Sequence, residues 1–181
     1  MKRSDVTEKK IIEAALGLFV RHGYHGTSIN DIMREVGLTK GALYAHFRSK
    51  GELLLRIIEE YRLRNIDVMI HTVNESAGNA IDKLHRIFTF NSRFAYEHQN
   101  LVVFLTFLTT ELKADVDFEP ALKNVYQKYR EFVSRLIRQG IDQGLFKKEI
   151  DPDLAALSFI ALHDGVLHQW VLNRSHIDGE Q

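Results

Sequence analysis

Seven side chains between Thr27 and Lys50 can donate to a phosphate or a base edge: Thr27, Ser28, Thr39, Lys40, Tyr44, His46 and Lys50. Thr27, Ser28 and Thr39 stand at expected helix starts. Free backbone N–H groups there point outward and favour an anion. Lys40 opens a short helix and can reach a phosphate oxygen or a guanine edge. Gly41 and Ala42 are small enough for that helix to approach a groove floor, and Ala42 suits a thymine methyl. Tyr44 and His46 offer an O–H and a ring N–H to phosphates. Lys50 opens the next helix and can close on the same backbone. Together this is the chemistry of gripping double-stranded DNA. For single residues a plainer role stays open: Tyr44 could pad a small core, and Ser28 and Thr39 could act as caps alone.

Short helices must position these groups. Apolar residues Ile12, Ala15, Leu16 and Phe19 recur at three and four, predicting a helix from about Asp5 to Arg21 with one buried stripe. Gly23 can take the left-handed conformation that ends it. A second helix starts after Thr27-Ser28, with Asp31 at the positive end of its dipole and Ile29, Ile32, Met33 and Val36 facing inward. Gly37 makes a turn. Thr39 caps a third helix with Leu43 and Phe47 inward. Ser49 caps a long fourth helix, roughly 50 to 73, carrying Leu53, Leu54, Ile57, Ile58 and Tyr61. Helix, tight turn and second helix form the arrangement that braces one helix and delivers the other to a major groove.

Charge distribution agrees. The 181-residue chain is formally neutral, with 24 Lys+Arg against 24 Asp+Glu. Residues 1–50 hold nine basic and five acidic side chains, a net of +4, so the remainder carries −4. A basic head on an acidic body suits a protein that touches phosphates at one end. The chain has no cysteine, which excludes disulfides and thiolate metal sites and fits a cytoplasmic compartment. No secretory signal is read at the N-terminus, and no apolar run is long enough for a bilayer.

The stretch from Ile11 to Leu55 resembles the DNA-binding domain of the tetracycline-repressor (TetR) family of bacterial regulators. The matching residues are AALxLF in the first helix, GYxGTS before the second, DIxxxVGLTKGALYxHF across the turn, and SKxELL opening the fourth. Leu157 to Trp170, with Asp164-Gly165 and Gln169-Trp170, is similar to the last, dimer-forming helix of many members. Met33 stands where alanine is usual, and Gly51 where a stronger helix former is usual. The resemblance implies a homodimer that represses transcription until a small molecule binds its C-terminal domain.

Pro120 and Pro152 both suit the first turn of a helix, and no alternating strand pattern occurs. The expectation is therefore all-α: a three-helix, homeodomain-like DNA-binding domain over residues 1–50, then a ligand-binding and dimerisation bundle over 51–181, eight to nine helices in all. Helices are expected over 80–98, 100–113 and 119–139, with Gly140 and Gly144 marking a fraying end, and from Pro152 to near Asn173. The tail from Ser175 is expected to be loose.

Phe88, Phe90, Phe94, Phe104 and Phe107, interleaved with His85, Thr106 and Thr110, have the make-up of an apolar ligand pocket with a few polar fixers. The scarcity of unpaired charge suggests a mostly apolar acyl or aromatic effector. Small residues along one face of the last helix suit a self-complementary seam formed by Leu157, Ala161, Asp164, Gly165, His168 and Val171. His163, Asp164 and His168 make a weak metal set, so no metal or cofactor is expected. No nucleophile-and-base spacing, phosphate-cradling loop or Glu-x-x-His pair appears, which argues against an enzyme. Control by a protein partner, or by no effector, stays open beside control by a ligand.

Overall fold

A computed structural model describes residues 3–108 and 117–173, and every regular element among them is helical. The elements are α1 (Arg3–His22), α2 (Ile29–Val36), α3 (Lys40–Tyr44), α4 (Lys50–Tyr61), a π-helical segment (Arg62–Asp67), α5 (Val68–Asn74), α6 (Ala80–Glu97), α7 (Gln99–Leu108), α8 (Glu119–Asp142) and α9 (Pro152–Leu172). The chain forms two compact units. One comprises residues 1–60 and 99–121, the other 61–98 and 122–181.

In the first unit, the α1 stripe is buried at Ile11, Ile12, Ala15, Leu16 and Phe19, and the helix packs on α2 and on α7. Phe19 stacks on Phe104 with ring centroids 5.2 Å apart. The compact units do not divide at residue 50: α7, placed by sequence in the C-terminal domain, packs with the N-terminal helices. Leu101, Val102, Val103, Phe104, Leu105 and Leu108 are all buried, so α7 is apolar nearly all round. Such a helix must be enclosed, but its pattern does not say by what. Gly23 ends α1 at φ 73°, and Gly37 ends α2 at φ 70°. Of the four inward residues of α2, only Ile32 is fully buried; Ile29, Met33 and Val36 are half-buried. Leu43 and Phe47 complete the small core.

The second unit begins on the helical rod that carries the backbone out of the first. Expected as one α-helix to about residue 73, the rod runs on to Asn74 but changes winding over Arg62–Asp67. Asp67 accepts hydrogen bonds from Arg62 at 2.6 Å and from Lys128 of α8 at 2.5 Å. Residues five apart meet this way in π winding and diverge in α winding. Counting the rod once leaves eight helices among the described residues.

Gly140 does not fray. It is buried inside α8, and a Cβ there would meet the Phe146 ring at 2.3 Å. Gly144, at φ 70°, turns the chain, and Asp151 caps α9 ahead of Pro152. Asp153 accepts from Ser134 at 2.5 Å and Arg138 at 3.0 Å, clamping the start of α9 to α8. α9 buries Ala156, Ile160 and His163 on one side. On the other, Leu154, Leu157, Leu162, Val166 and Leu172 are 50–63% exposed. No helix among the described residues is long and apolar enough to cross a membrane.

Candidate nucleic-acid interface and effector region

The DNA-facing candidates divide into two kinds. Ser28, Thr39, Lys40, Gly41 and Tyr44 are exposed, and Ala42 and His46 half-buried, so all seven remain accessible to a partner. Ser28 forms a reciprocal cap with Asp31. Its O–H and N–H donate to Asp31 Oδ2 at 2.5 and 2.9 Å, and the Asp31 N–H donates to Ser28 Oγ at 3.2 Å. The Ser28 hydroxyl, and then its N–H, hold the Asp31 carboxyl below the usual carboxylate range. Thr39 Oγ1 accepts from the Ala42 N–H at 3.3 Å and fixes the start of α3. The Lys40 ammonium lies 5.8 Å from the Tyr44 ring centre, so both side chains extend along the outer edge of α3.

Gly41 has a feature of its own. A Cβ built on it meets no atom within 4 Å, and its φ is not positive. Neither space nor backbone conformation within the chain requires glycine there.

Thr27 and Lys50 bond within the chain. Thr27 is buried and its Oγ1 donates to the Gly23 carbonyl at 2.9 Å, so its hydroxyl clips the loop to the end of α1. Lys50 Nζ donates to the carbonyls of Tyr24 at 2.9 Å and Thr27 at 3.1 Å, and sits 4.1 Å from the Tyr24 ring centre. Both hold the loop that presents Ser28.

The expected pocket residues scatter. Phe104 is stacked on Phe19 in the first unit. Thr106 sits in the same unit with its Oγ1 donating to the Val102 carbonyl at 2.9 Å, and Phe107 is exposed. His85 is exposed and Phe90 half-buried, while Thr110 lies outside the described residues. Helical spacing on α7 could not say which neighbour each face would meet. Only Phe88 and Phe94 reach the interior of the second unit. Phe88 packs edge-on to Phe159 at 4.8 Å and to His163 at 5.5 Å, and Phe94 meets Tyr61 at 6.1 Å.

That interior holds polar groups the sequence reading passed over. Asn91 Nδ2 donates to the Tyr129 oxygen at 3.2 Å. Tyr126 hydrogen-bonds Asp164, and burial, with the Asp164 charge added, pushes the phenols of Tyr126 and Tyr129 well up. Burial does the same to Tyr61. Asp164, assigned by sequence to the outer seam of α9, is thus half-buried and turned toward Tyr126. Val171 is half-buried, and Leu157, Ala161, Gly165 and His168 are exposed as expected.

Residues 11–57 match the profile of the bacterial regulatory proteins of the tetR family, and residues 80–181 match the C-terminal profile of BetI-type transcriptional repressors. The chain belongs to the TetR family. It is a DNA-binding transcriptional regulator. Its sequence is 23% identical over 181 residues to the fatty acid metabolism regulator protein of Bacillus subtilis, covering 98% of this chain and 90% of that one. Its fold is similar to the MbdR regulator from Azoarcus sp. CIB, with a TM-score of 0.85, 28% identity, and 97% and 92% of the two chains covered. It is also similar to the regulator FadR of Bacillus subtilis, solved in complex with stearoyl-CoA, with a TM-score of 0.82, 23% identity, and 94% and 90% covered.

TetR-family regulators bind operator DNA and dimerise. In this member the exposed leucines and Val166 line one side of α9, with Ala161 and Gly165 between them. A Cβ on Gly165 also meets nothing within 4 Å. Asn65, Asn91, Tyr126 and Tyr129 were missed because an isolated Asn or Tyr in a helix reads equally as surface. Their signal was placement: Asn91 falls on the same face as Ile87, Phe94 and Ala95.

Proposed function

We propose that this chain is a homodimeric repressor. The outer face of α3 enters the major groove of its operator, α9 pairs with α9 of a second copy, and a small, mostly apolar effector taken up in the second unit releases the DNA. Gly41 carries the reading. A helical glycine costs about 1 kcal/mol against alanine, and nothing inside the chain explains it. Close approach by an external surface does, and Lys40, Tyr44 and Thr39 beside it suit DNA.

The apolar side of α9 supports the pairing, because a row of exposed leucines flanking small residues fits a self-complementary interface. The acyl-CoA bound by the Bacillus subtilis FadR supports an effector with a large apolar part. Regulation, not catalysis, is the proposed activity, since the profiles matched by both parts of the chain are those of transcriptional regulators.

The test is a gel shift with DNA flanking the protein's own gene, with and without acyl and aromatic compounds. Retarded DNA that an added compound frees is the expected result. Retardation that no compound relieves would replace the ligand by a protein partner or by constitutive binding. No retardation at all would overturn the operator reading.

A further inference from the structure

Four buried side-chain atoms without a protein hydrogen-bond partner stand out among the described residues: Asn65 Oδ1, Asn91 Oδ1, and both ring nitrogens of His163. All fall in the second unit. Asn65 and Asn91 are each 3% exposed and His163 5%. Buried polar atoms are normally paired, because an unpaired one loses its water and gains nothing. Asn91 has one amide end on Tyr129, and exchanging its N and O leaves the other end unmet all the same. His163 Nδ1 is 3.9 Å from Asp164 Oδ1, too far for a hydrogen bond.

Resting on the effector reading above, we propose that this interior reads a hydroxyl. Its ligand is an uncharged, largely apolar molecule whose buried end carries an O–H, held by Asn91 and His163 among Phe88, Phe94 and Phe159. The unmet groups ask for both roles at once. A neutral imidazole offers one donor and one acceptor, and the amide end of Asn91 asks for a partner of either kind. A hydroxyl supplies donor and acceptor from one atom.

A carboxylate or phosphate supplies acceptors alone, and it would bring a negative charge toward Asp164, which faces the same tyrosines. Lys128, beside Tyr129 on α8, is already committed to Asp67 at 2.5 Å. The raised phenols of Tyr126 and Tyr129 agree that the surroundings disfavour a further negative charge. Asn65, one turn beyond Tyr61, places another unmet acceptor on the π-helical segment itself, where ligand contact would reach the rod that continues into α4.

The experiment is calorimetric titration of the intact protein with 2-naphthol, 2-naphthoate and stearoyl-CoA, repeated for Asn91→Leu and His163→Phe, with the melting temperature of each free variant. Naphthol should bind at least tenfold more tightly than naphthoate. Each substitution should cost naphthol about tenfold, the loss of one hydrogen bond. The free variants should melt at or above the parent temperature, because an unpaired polar group has been replaced by an apolar one.

Naphthoate binding as well as naphthol would overturn the proposal, as would failure of naphthol to bind. So would higher melting temperatures with the naphthol preference intact, since the polar groups would then be serving buried water alone. Stearoyl-CoA binding that Asn91→Leu leaves unchanged or strengthens would also overturn it, yet would leave effector control standing. Effector control itself would fall only if no bound compound altered operator affinity.

Discussion

The Lys50 ammonium lies 4.1 Å from the centre of the Tyr24 ring while donating to the Tyr24 carbonyl at 2.9 Å. One side chain thus holds both the ring and the carbonyl of a residue that is itself buried. With the second bond to the Thr27 carbonyl, the first residue of α4 pins the loop from which α2 starts. Lys50→Ala should therefore cost about 2 kcal/mol of stability through two hydrogen bonds and a cation–π contact. DNA binding should weaken with its salt dependence unchanged. A salt slope lower by about one, with stability intact, would return Lys50 to the phosphate contacts.

Gly41→Ala should separate folding from DNA binding. The free protein has open space for the methyl, so the helix should gain about 0.5–1 kcal/mol. Operator affinity should fall at least tenfold if the backbone lies against the groove. Thermal melting reads the first effect and gel shift the second. Undiminished affinity in the alanine variant would show that α3 does not approach the DNA closely at this point.

Gly165→Leu probes the α9 seam by the same logic. A single chain accommodates the larger side chain, since a Cβ at Gly165 meets nothing within 4 Å, and leucine is the better helix former. Two copies pressed together at that point cannot. Light scattering should report a weakened dimer, with operator affinity falling in step because paired recognition helices need a fixed spacing. Undisturbed dimers would move the seam off this face.

Tyr61, Tyr126 and Tyr129 give the fold an alkaline limit. Burial comes first among the causes that raise all three phenols above their ordinary value of about 10. The folded state holds these protons more tightly than the unfolded chain does. Their contribution is fully present below about pH 10 and declines as pH rises above it, where the unfolded chain ionises first. Of six tyrosines, these three should show no phenolate absorbance at 295 nm until the helical circular dichroism collapses. Six phenols ionising together near pH 10 in a chain that is still helical would refute this.

Sequence resolved what is set locally. Ser28, Gly37 and Thr39 mark the ends of α2 and α3 because caps depend on residues within one turn, and the exposed face of α9 follows from helical spacing alone. Long-range choices were hidden. Thr27 and Ser28 are adjacent hydroxyls that read alike, yet one points into the loop and the other outward. Phe104 and Phe94 are both interior phenylalanines, but packing assigned them to different units. The π-helical segment Arg62–Asp67 is also tied to Lys128, sixty-one residues beyond its partner Asp67, a contact no local pattern could anticipate.

The stacking of Phe104 on Phe19 has a consequence for the order of assembly. These rings are separated by about 85 residues of chain, so the helix-turn-helix end cannot complete its core until α7 has been made and has folded back. The α8–α9 hairpin closes over a loop of roughly ten residues, a step that chain entropy allows in well under a microsecond. Although the DNA-reading segment emerges from the ribosome before α7, it waits for that helix, beyond the middle of these 181 residues. A nascent chain truncated before residue 99 should leave Phe19 without its cover and the recognition helix on an unfinished support.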